Sequence, residues 1–317
     1  IFVRLAFFAR VSNDESIIRI LDTIRAIVKT QKVKGKPAQD ASPEGLLREA
    51  LGRARGENWF LQSLQEGPMT TITSAITLED NPYMTDTKRL ADLIEQHRPE
   101  LIIFGKSMFL FPEPVPYVRK LTESMEPRPV IMYDMAHVLG LYGAFQEPLK
   151  DGADILTGST HKTFFGPQRG IVAANVGEQG IDEKLWKAIK SRSFPGNVSN
   201  HHLGTLLGLL MASYEMNTFK EQYQQQVRTN AKAFAKALKE QGVNVEGEAY
   251  GFTETHQVII NVRQYGNGIE IAKRLEDSNI ITNFQALPYD KTFEDPSGIR
   301  MGVQEMTRFG MKEKDFE

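Results

Sequence analysis

Val130-Ile131-Met132-Tyr133-Asp134-Met135-Ala136-His137 decides how this chain is read: a short apolar run ends directly on a carboxylate, a small residue and an imidazole. The pattern returns in Asp154-Ile155-Leu156-Thr157-Gly158-Ser159-Thr160-His161-Lys162-Thr163, where the run ends on hydroxyls, a histidine and a lysine. Leu101 to Phe104, ahead of Ser107, is a third such run, and Ile171 to Asn175 a fourth. Helical periodicity near Thr85 to His97 precedes the run at Leu101 to Phe104, and that near Val115 to Glu123 lies between that run and the one at Val130. Short apolar runs alternating with amphipathic helices are the signature of βαβ units, so an α/β fold on a mostly parallel sheet is expected. Ligands bind such sheets at the carboxyl ends of the strands. Ser107, Asp134 to His137 and Ser159 to Lys162 are therefore expected to converge on one crevice.

Outward from this core, the α/β texture begins at Pro68, and a large domain over 68–200 is expected. Residues 1–67 read as a helical segment without an assigned role: Ile17, Ile20, Leu21, Ile24, Ile27 and Val28 recur at helical spacing behind the capping candidates Ser12, Asn13 and Asp14. Lys29, Lys32, Lys34 and Lys36, around a Gly-Lys-Pro breaker, read as a solvated linker rather than a phosphate site. Residues 201–242 read as connecting helix, with Leu203, Leu206, Leu207, Leu210, Tyr214, Phe234 and Leu238 in register and Gly242 as the stop. A smaller α+β domain over 243–317 follows: strand Gln257 to Val262, helix Gly268 to Asp277, strand Ile280 to Phe284 and strand Gly298 to Val303. The chain opens on Ile1 rather than Met and stops at Glu317 as a helical pattern begins, so truncation at both ends is expected.

The 317 residues carry 40 acidic and 38 basic side chains, a net charge of −2, which argues against nucleic acid or an anionic membrane as the main partner. The absence of cysteine excludes disulfides, thiolate metal sites and cysteine nucleophiles, and no metal site is expected. Ile1 to Val11, the most apolar N-terminal stretch, is interrupted by Arg4 and Arg10 and falls short of the ~20 residues a membrane span needs. A soluble, cytoplasmic protein is expected.

A lysine becomes a useful nucleophile when burial and cationic neighbours lower its pKa, although a lysine in a turn is more often a solvated surface residue. Asp134 sharpens the reading of Lys162. Pyridoxal 5'-phosphate (PLP) requires both groups: a lysine amine that carries it and a carboxylate that keeps its ring nitrogen protonated. The plainer alternative makes Asp134 a cap, Ala136 a packing residue and His137 an ordinary buried imidazole.

Four separated motifs occur together in one order: Asp134-Met135-Ala136-His137-Val138-Leu139-Gly140-Leu141; Ser159-Thr160-His161-Lys162-Thr163 with Gly166-Pro167; Phe194-Pro195-Gly196; and Ser297-Gly298-Ile299-Arg300-Met301-Gly302. In this order they resemble serine hydroxymethyltransferase, over roughly Thr70 to Glu317. Phe164 to Gln168 and Ser199-Asn200-His201-His202 are most similar to its archaeal branch. The resemblance implies the type I fold of PLP-dependent transferases and a set of roles. Lys162 would carry the cofactor, Asp134 would pair with its ring nitrogen and Ala136 would lie against the ring. His137 and Ser107 would sit near the phenolic oxygen or the substrate carboxylate. Ser159 and His161 would hold the phosphate and its surroundings, and Thr160 would lie beside the lysine-cofactor bond. Ser199 and Asn200 stand where the common enzyme offers a glycine pair to the partner subunit's phosphate, and Arg300 would clamp the substrate carboxylate as a bidentate fork. Lys162, Asp134, His137 and Thr160 form the implied catalytic set.

The family's N-terminal phosphate cup, ring-stacking histidine and interface Tyr and Glu are not legible before Ser107, and Val303 replaces a usual threonine. Weak PLP binding is expected accordingly. The activity implied is transfer of the serine hydroxymethyl carbon to a reduced pterin, tetrahydrofolate or tetrahydromethanopterin, leaving glycine, in a homodimer with a shared site. Two other readings stand beside it: a threonine aldolase or transaldolase that needs no pterin, and a non-catalytic PLP-fold binding or scaffold subunit.

Overall fold

The computed structural model describes residues 76–178, 180–198, 200 and 202–317. The helix expected in residues 1–67, the boundary at Pro68 and the site candidate Ser199 lie outside the described residues. The chain divides into two compact units, Ile1–Ile72 with Glu183–Asn200, and Thr73–Asp182 with His201–Glu317.

In chain order the elements are α1 (Thr87–His97), β1 (Leu101–Phe104), α2 (Val115–Thr122), β2 (Val130–Asp134), α3 (Pro148–Asp151), β3 (Ile155–His161) and β4 (Phe165–Ala174). Helix α4 (Glu183–Ser191) belongs to the smaller unit. The larger unit resumes with α5 (Leu203–Glu240), β5 (Asn244–Val245), β6 (Gln257–Asn261), α6 (Gly268–Asp277), β7 (Asn283–Gln285), β8 (Gly298–Gly302), α7 (Gln304–Arg308) and α8 (Glu313–Phe316).

The first sheet runs β1-β2-β3-β4, with β1, β2 and β3 parallel and β4 antiparallel to β3. With its flanking helices this is the expected α/β architecture on a mostly parallel sheet. The fourth strand departs from expectation. It begins at Phe165, not near Ile171, and forms a hairpin with β3. Only Lys162 to Phe164 separate the two strands, too short a link for the crossover that a parallel pair requires. The same pairing extends β3 through His161, so Ser159 and Thr160 lie within the strand and not after it.

The second sheet, ordered β5-β6-β8-β7, is antiparallel throughout. One apolar core joins it to the first sheet through α5: Ile131, Tyr133 and Leu156 pack with Val227, Ala231, Ala235, Val258 and Ile299. Helix α5 is 38 residues long, about 57 Å at 1.5 Å per residue. Its second half buries Tyr223, Val227, Ala231 and Ala235, while its first half buries Ala212 and Met216 and exposes Leu203, Leu207, Met211 and Tyr214.

Two devices position the strand ends. Asp86 caps α1 by accepting from the Arg89 N–H at 3.0 Å, which fixes the start of the helix that leads into β1. At the amino ends of β2 and β3, buried Asp154 accepts from the guanidinium groups of Arg119 and Arg128 and from the Ile131 N–H. Breaking such a buried ion pair costs about 3–5 kcal/mol, so the two strands are pinned at the end away from the site.

Candidate active site

The carboxyl ends of β1 and β2 lie side by side, and the crevice starts there. Gly105, directly after β1, has φ +136°, and a Cβ on it would stand 2.8 Å from the Asp134 Cβ. Only glycine allows the loop to pass so close. One Asp134 oxygen accepts from the Ala136 N–H at 2.8 Å. Its other oxygen has no hydrogen-bond partner among the described residues.

His137 follows on the same loop, with Nε2 3.2 Å from Lys162 Nζ and Nδ1 3.2 Å from Gln257 Nε2. Burial first, then the charges of Lys162 and Arg300, push its pKa down to about 3. Burial also lowers the pKa of Lys162; Asp134 opposes the shift and Arg300 adds to it. The amine is therefore held closer to its neutral, nucleophilic form than a surface lysine's.

The loop that carries Lys162 is clamped from three sides. The Thr163 hydroxyl donates to the His137 carbonyl at 2.9 Å and accepts from the Gly140 N–H at 3.0 Å. The Tyr223 hydroxyl, on α5, donates to the Thr163 carbonyl at 2.7 Å. Gln224 Nε2 donates to the carbonyls of Gly140 and Tyr142, both at 2.9 Å. A Cβ on Gly140 would come within 2.2 Å of the Thr163 backbone, so the two loops touch without side-chain padding.

Arg300, on β8, donates from Nη1 to the Ser107 carbonyl at 2.9 Å. Its remaining guanidinium N–H groups have no partner among the described residues. Gln257 donates to the same carbonyl at 3.0 Å and accepts from the Phe109 N–H at 2.7 Å. The Thr255 hydroxyl bonds to the Phe109 carbonyl at 2.6 Å, and the Glu254 N–H to the Leu110 carbonyl at 2.8 Å. The segment after β1 is thus stitched to the second sheet along a seam. Buried His256 stacks on His137 with ring centres 6.5 Å apart and 13° between planes. Burial holds it neutral, and its Nδ1 has no partner among the described residues.

Asp134, Ala136, His137, Lys162, Ser107 and Arg300 are brought to one place. Ser107 contributes its carbonyl. Thr160 is buried, with its hydroxyl turned to the Pro167 and Arg169 carbonyls of β4 at 2.6 and 3.1 Å. Ser159 is half-buried in β3, and His161 is exposed at its end. Asn200 belongs to the other unit. Sequence reasoning missed Gly105, Tyr223, Gln224, His256 and Gln257 as parts of the site. A run of three polar residues, Thr255-His256-Gln257, before an apolar strand was the available signal for the last two.

The donor set fits PLP. Among the described residues, a half-buried amine with lowered pKa faces an imidazole, a carboxylate with one unpartnered oxygen stands at the neighbouring strand end beside a small residue, and a guanidinium edge has no partner and could take an anion. Among the described residues no three His, Asp or Glu side chains could together hold a metal ion. No described helix is long and apolar enough to cross a membrane.

The serine hydroxymethyltransferase family model matches residues 70–317. A serine hydroxymethyltransferase of Archaeoglobus fulgidus is 50% identical over 234 residues, covering 73% of this chain and 51% of that protein. One of Korarchaeum cryptofilum is 42% identical over 275 residues, covering 84% of this chain and 62% of its own length. One of Saccharolobus islandicus is 44% identical over 321 residues, covering 96% and 72%. The chain spans about half the length of the Archaeoglobus relative. With a model matched over most of its length, on the residues that line this crevice, the chain belongs to the serine hydroxymethyltransferase family.

Proposed function

We propose that this chain carries the site of a PLP-dependent hydroxymethyl transfer, which takes serine and a reduced pterin, tetrahydrofolate or tetrahydromethanopterin, to glycine and the one-carbon pterin. The observation that carries the reading is the meeting of Lys162 with His137 beside Asp134, across from the open edge of Arg300. When bound, PLP supplies an electron sink for the bond between the α- and β-carbons.

The residues divide the remaining work. Lys162 Nζ is the amine that holds the cofactor. The Asp134 oxygen without a partner among the described residues would take the ring nitrogen and keep a proton there, while Ala136 would leave room for the ring. With the cofactor bound, His137 would donate toward the phenolic oxygen or the substrate carboxylate. Arg300, already anchored through Nη1 to Ser107, offers its other N–H groups to the carboxylate. Ser159 and His161 would serve the phosphate and its surroundings, and Thr160 backs the lysine through the hairpin that it locks.

In this reading residues 68–200 are the cofactor-binding part, 201–242 connect, 243–317 supply the substrate side, and 1–67 have a separate role. The protein acts in the cytoplasm as a homodimer; the exposed apolar face of Leu203, Leu207 and Met211 supports the dimer. The test is a PLP titration by absorbance with borohydride trapping, followed by a serine-to-glycine assay with and without pterin. Trapping that is lost in Lys162→Ala and glycine formation that requires pterin are expected. Aldehyde release from threonine without pterin would assign an aldolase instead, and absence of trapping in the unaltered chain would leave a scaffold subunit.

A further inference from the structure

The hydrogen bonds around Gln257 admit one assignment of its amide. The Phe109 N–H, 2.7 Å from Oε1, can only donate, and the Ser107 carbonyl, 3.0 Å from Nε2, can only accept. The orientation is therefore set from two sides, and the second N–H of Nε2 faces His137 Nδ1 at 3.2 Å. Nδ1 must then be the bare nitrogen, and the ring proton must sit on Nε2. Nε2 in turn faces Lys162 Nζ at 3.2 Å, and its N–H needs a lone pair there. An ammonium has none.

We propose that Gln257 is a positioning residue that holds His137 as its Nε2–H tautomer and thereby keeps Lys162 a neutral amine turned toward the ring. The inference rests on the reading of Lys162 as the reactive amine, since the free base and not the ammonium is the nucleophilic form. The surroundings agree with it. Lys162, Arg300 and His256 all face His137, and burial together with the Arg300 guanidinium disfavours a charged imidazole. Gln257 reaches this point from the start of β6, where its backbone pairs with Gly302 and its side chain crosses the seam to the first sheet.

The experiment is long-range proton-nitrogen NMR on the full chain with nitrogen-15 histidine, no cofactor added, near neutral pH, with His137 assigned by its loss in His137→Asn. The Nε2–H pattern is expected for His137; an Nδ1–H pattern or an imidazolium overturns the proposal. Gln257→Glu keeps the acceptor for Phe109 and removes the donor to Nδ1. Loss of the Nε2–H pattern and a rise of about 1–3 pH units in the His137 titration are expected. Gln257→Met removes both functions and should give mixed tautomers. A role limited to tethering the Ser107 loop would lower Tm in both variants and leave the His137 pattern unchanged, which also overturns the proposal. None of these readouts uses PLP or turnover, so a failed PLP titration would sink the function proposed above without touching the tautomer, and the reverse.

Discussion

The phenol of Tyr223 ends on the carbonyl of Thr163, 2.7 Å away and one residue past Lys162. A helix 60 positions further along the chain thereby holds the lysine's loop. Burial raises the Tyr223 pKa, so the group stays a donor. Tyr223→Phe leaves a buried carbonyl without its partner and should cost about 1–3 kcal/mol. Urea unfolding measures this, and a midpoint equal to that of the unaltered chain would show the contact to be idle.

Gly140→Ala should be at least as damaging. Its Cβ would meet the Thr163 backbone at 2.2 Å, and main chain cannot swing aside as a side chain does. A loss of about 1–3 kcal/mol is expected from overpacking, with lower reactivity of Lys162 toward an amine-modifying reagent. Normal stability would mean that the Lys162 loop yields more easily than its clamps suggest.

Acid should weaken the fold through His137. Its folded pKa of about 3 lies below the ordinary 6.5, so from about pH 6.5 downward the unfolded chain binds a proton that the folded chain refuses. Stability therefore falls with pH, by about 1.4 kcal/mol per pH unit from this group, until the folded pKa is passed. His256, buried and also lowered, adds a loss of the same sign. Unfolding free energies of the unaltered chain and His137→Asn at pH 5 and pH 7 isolate the first contribution: the difference between the two pH values should shrink in the variant. Equal differences would place a proton on the folded ring.

Arg300→Ala should weaken serine and glycine binding by about tenfold to a hundredfold, the worth of a charged hydrogen bond to a carboxylate. PLP affinity should change far less, and Arg300→Lys should rescue poorly because an ammonium cannot form the planar fork. Calorimetry with each ligand separates these effects. Equal losses for both would mark the guanidinium as a fastener of the Ser107 loop.

The legible parts of the fold were those specified locally. Helix α6 was read residue for residue, since Asn267 caps it and its apolar spacing is regular. Strand β1 was read equally well. The start of β4 was missed because Phe165-Gly166-Pro167-Gln168-Arg169-Gly170 carries turn residues; what makes it a strand is its pairing with β3. The last strand before β8 was placed on apolar Ile280 and Ile281, yet those side chains are exposed and the pairing falls on Asn283–Gln285. Within the site, the groups at the ends of β1 and β2 announced themselves by following apolar runs. Gln257 could not, because its partners lie 148 and 150 positions away and no local pattern encodes them.

The seam between the segment after β1 and the second sheet ties alignment to closure. Arg300 and Gln257 end on one carbonyl, that of Ser107, and Gln257 also reaches His137. Any motion that parts the sheets releases the guanidinium from its anchor and the imidazole from its donor together. Arg300 and His137 are interlocked in this way, aimed together while the seam is shut.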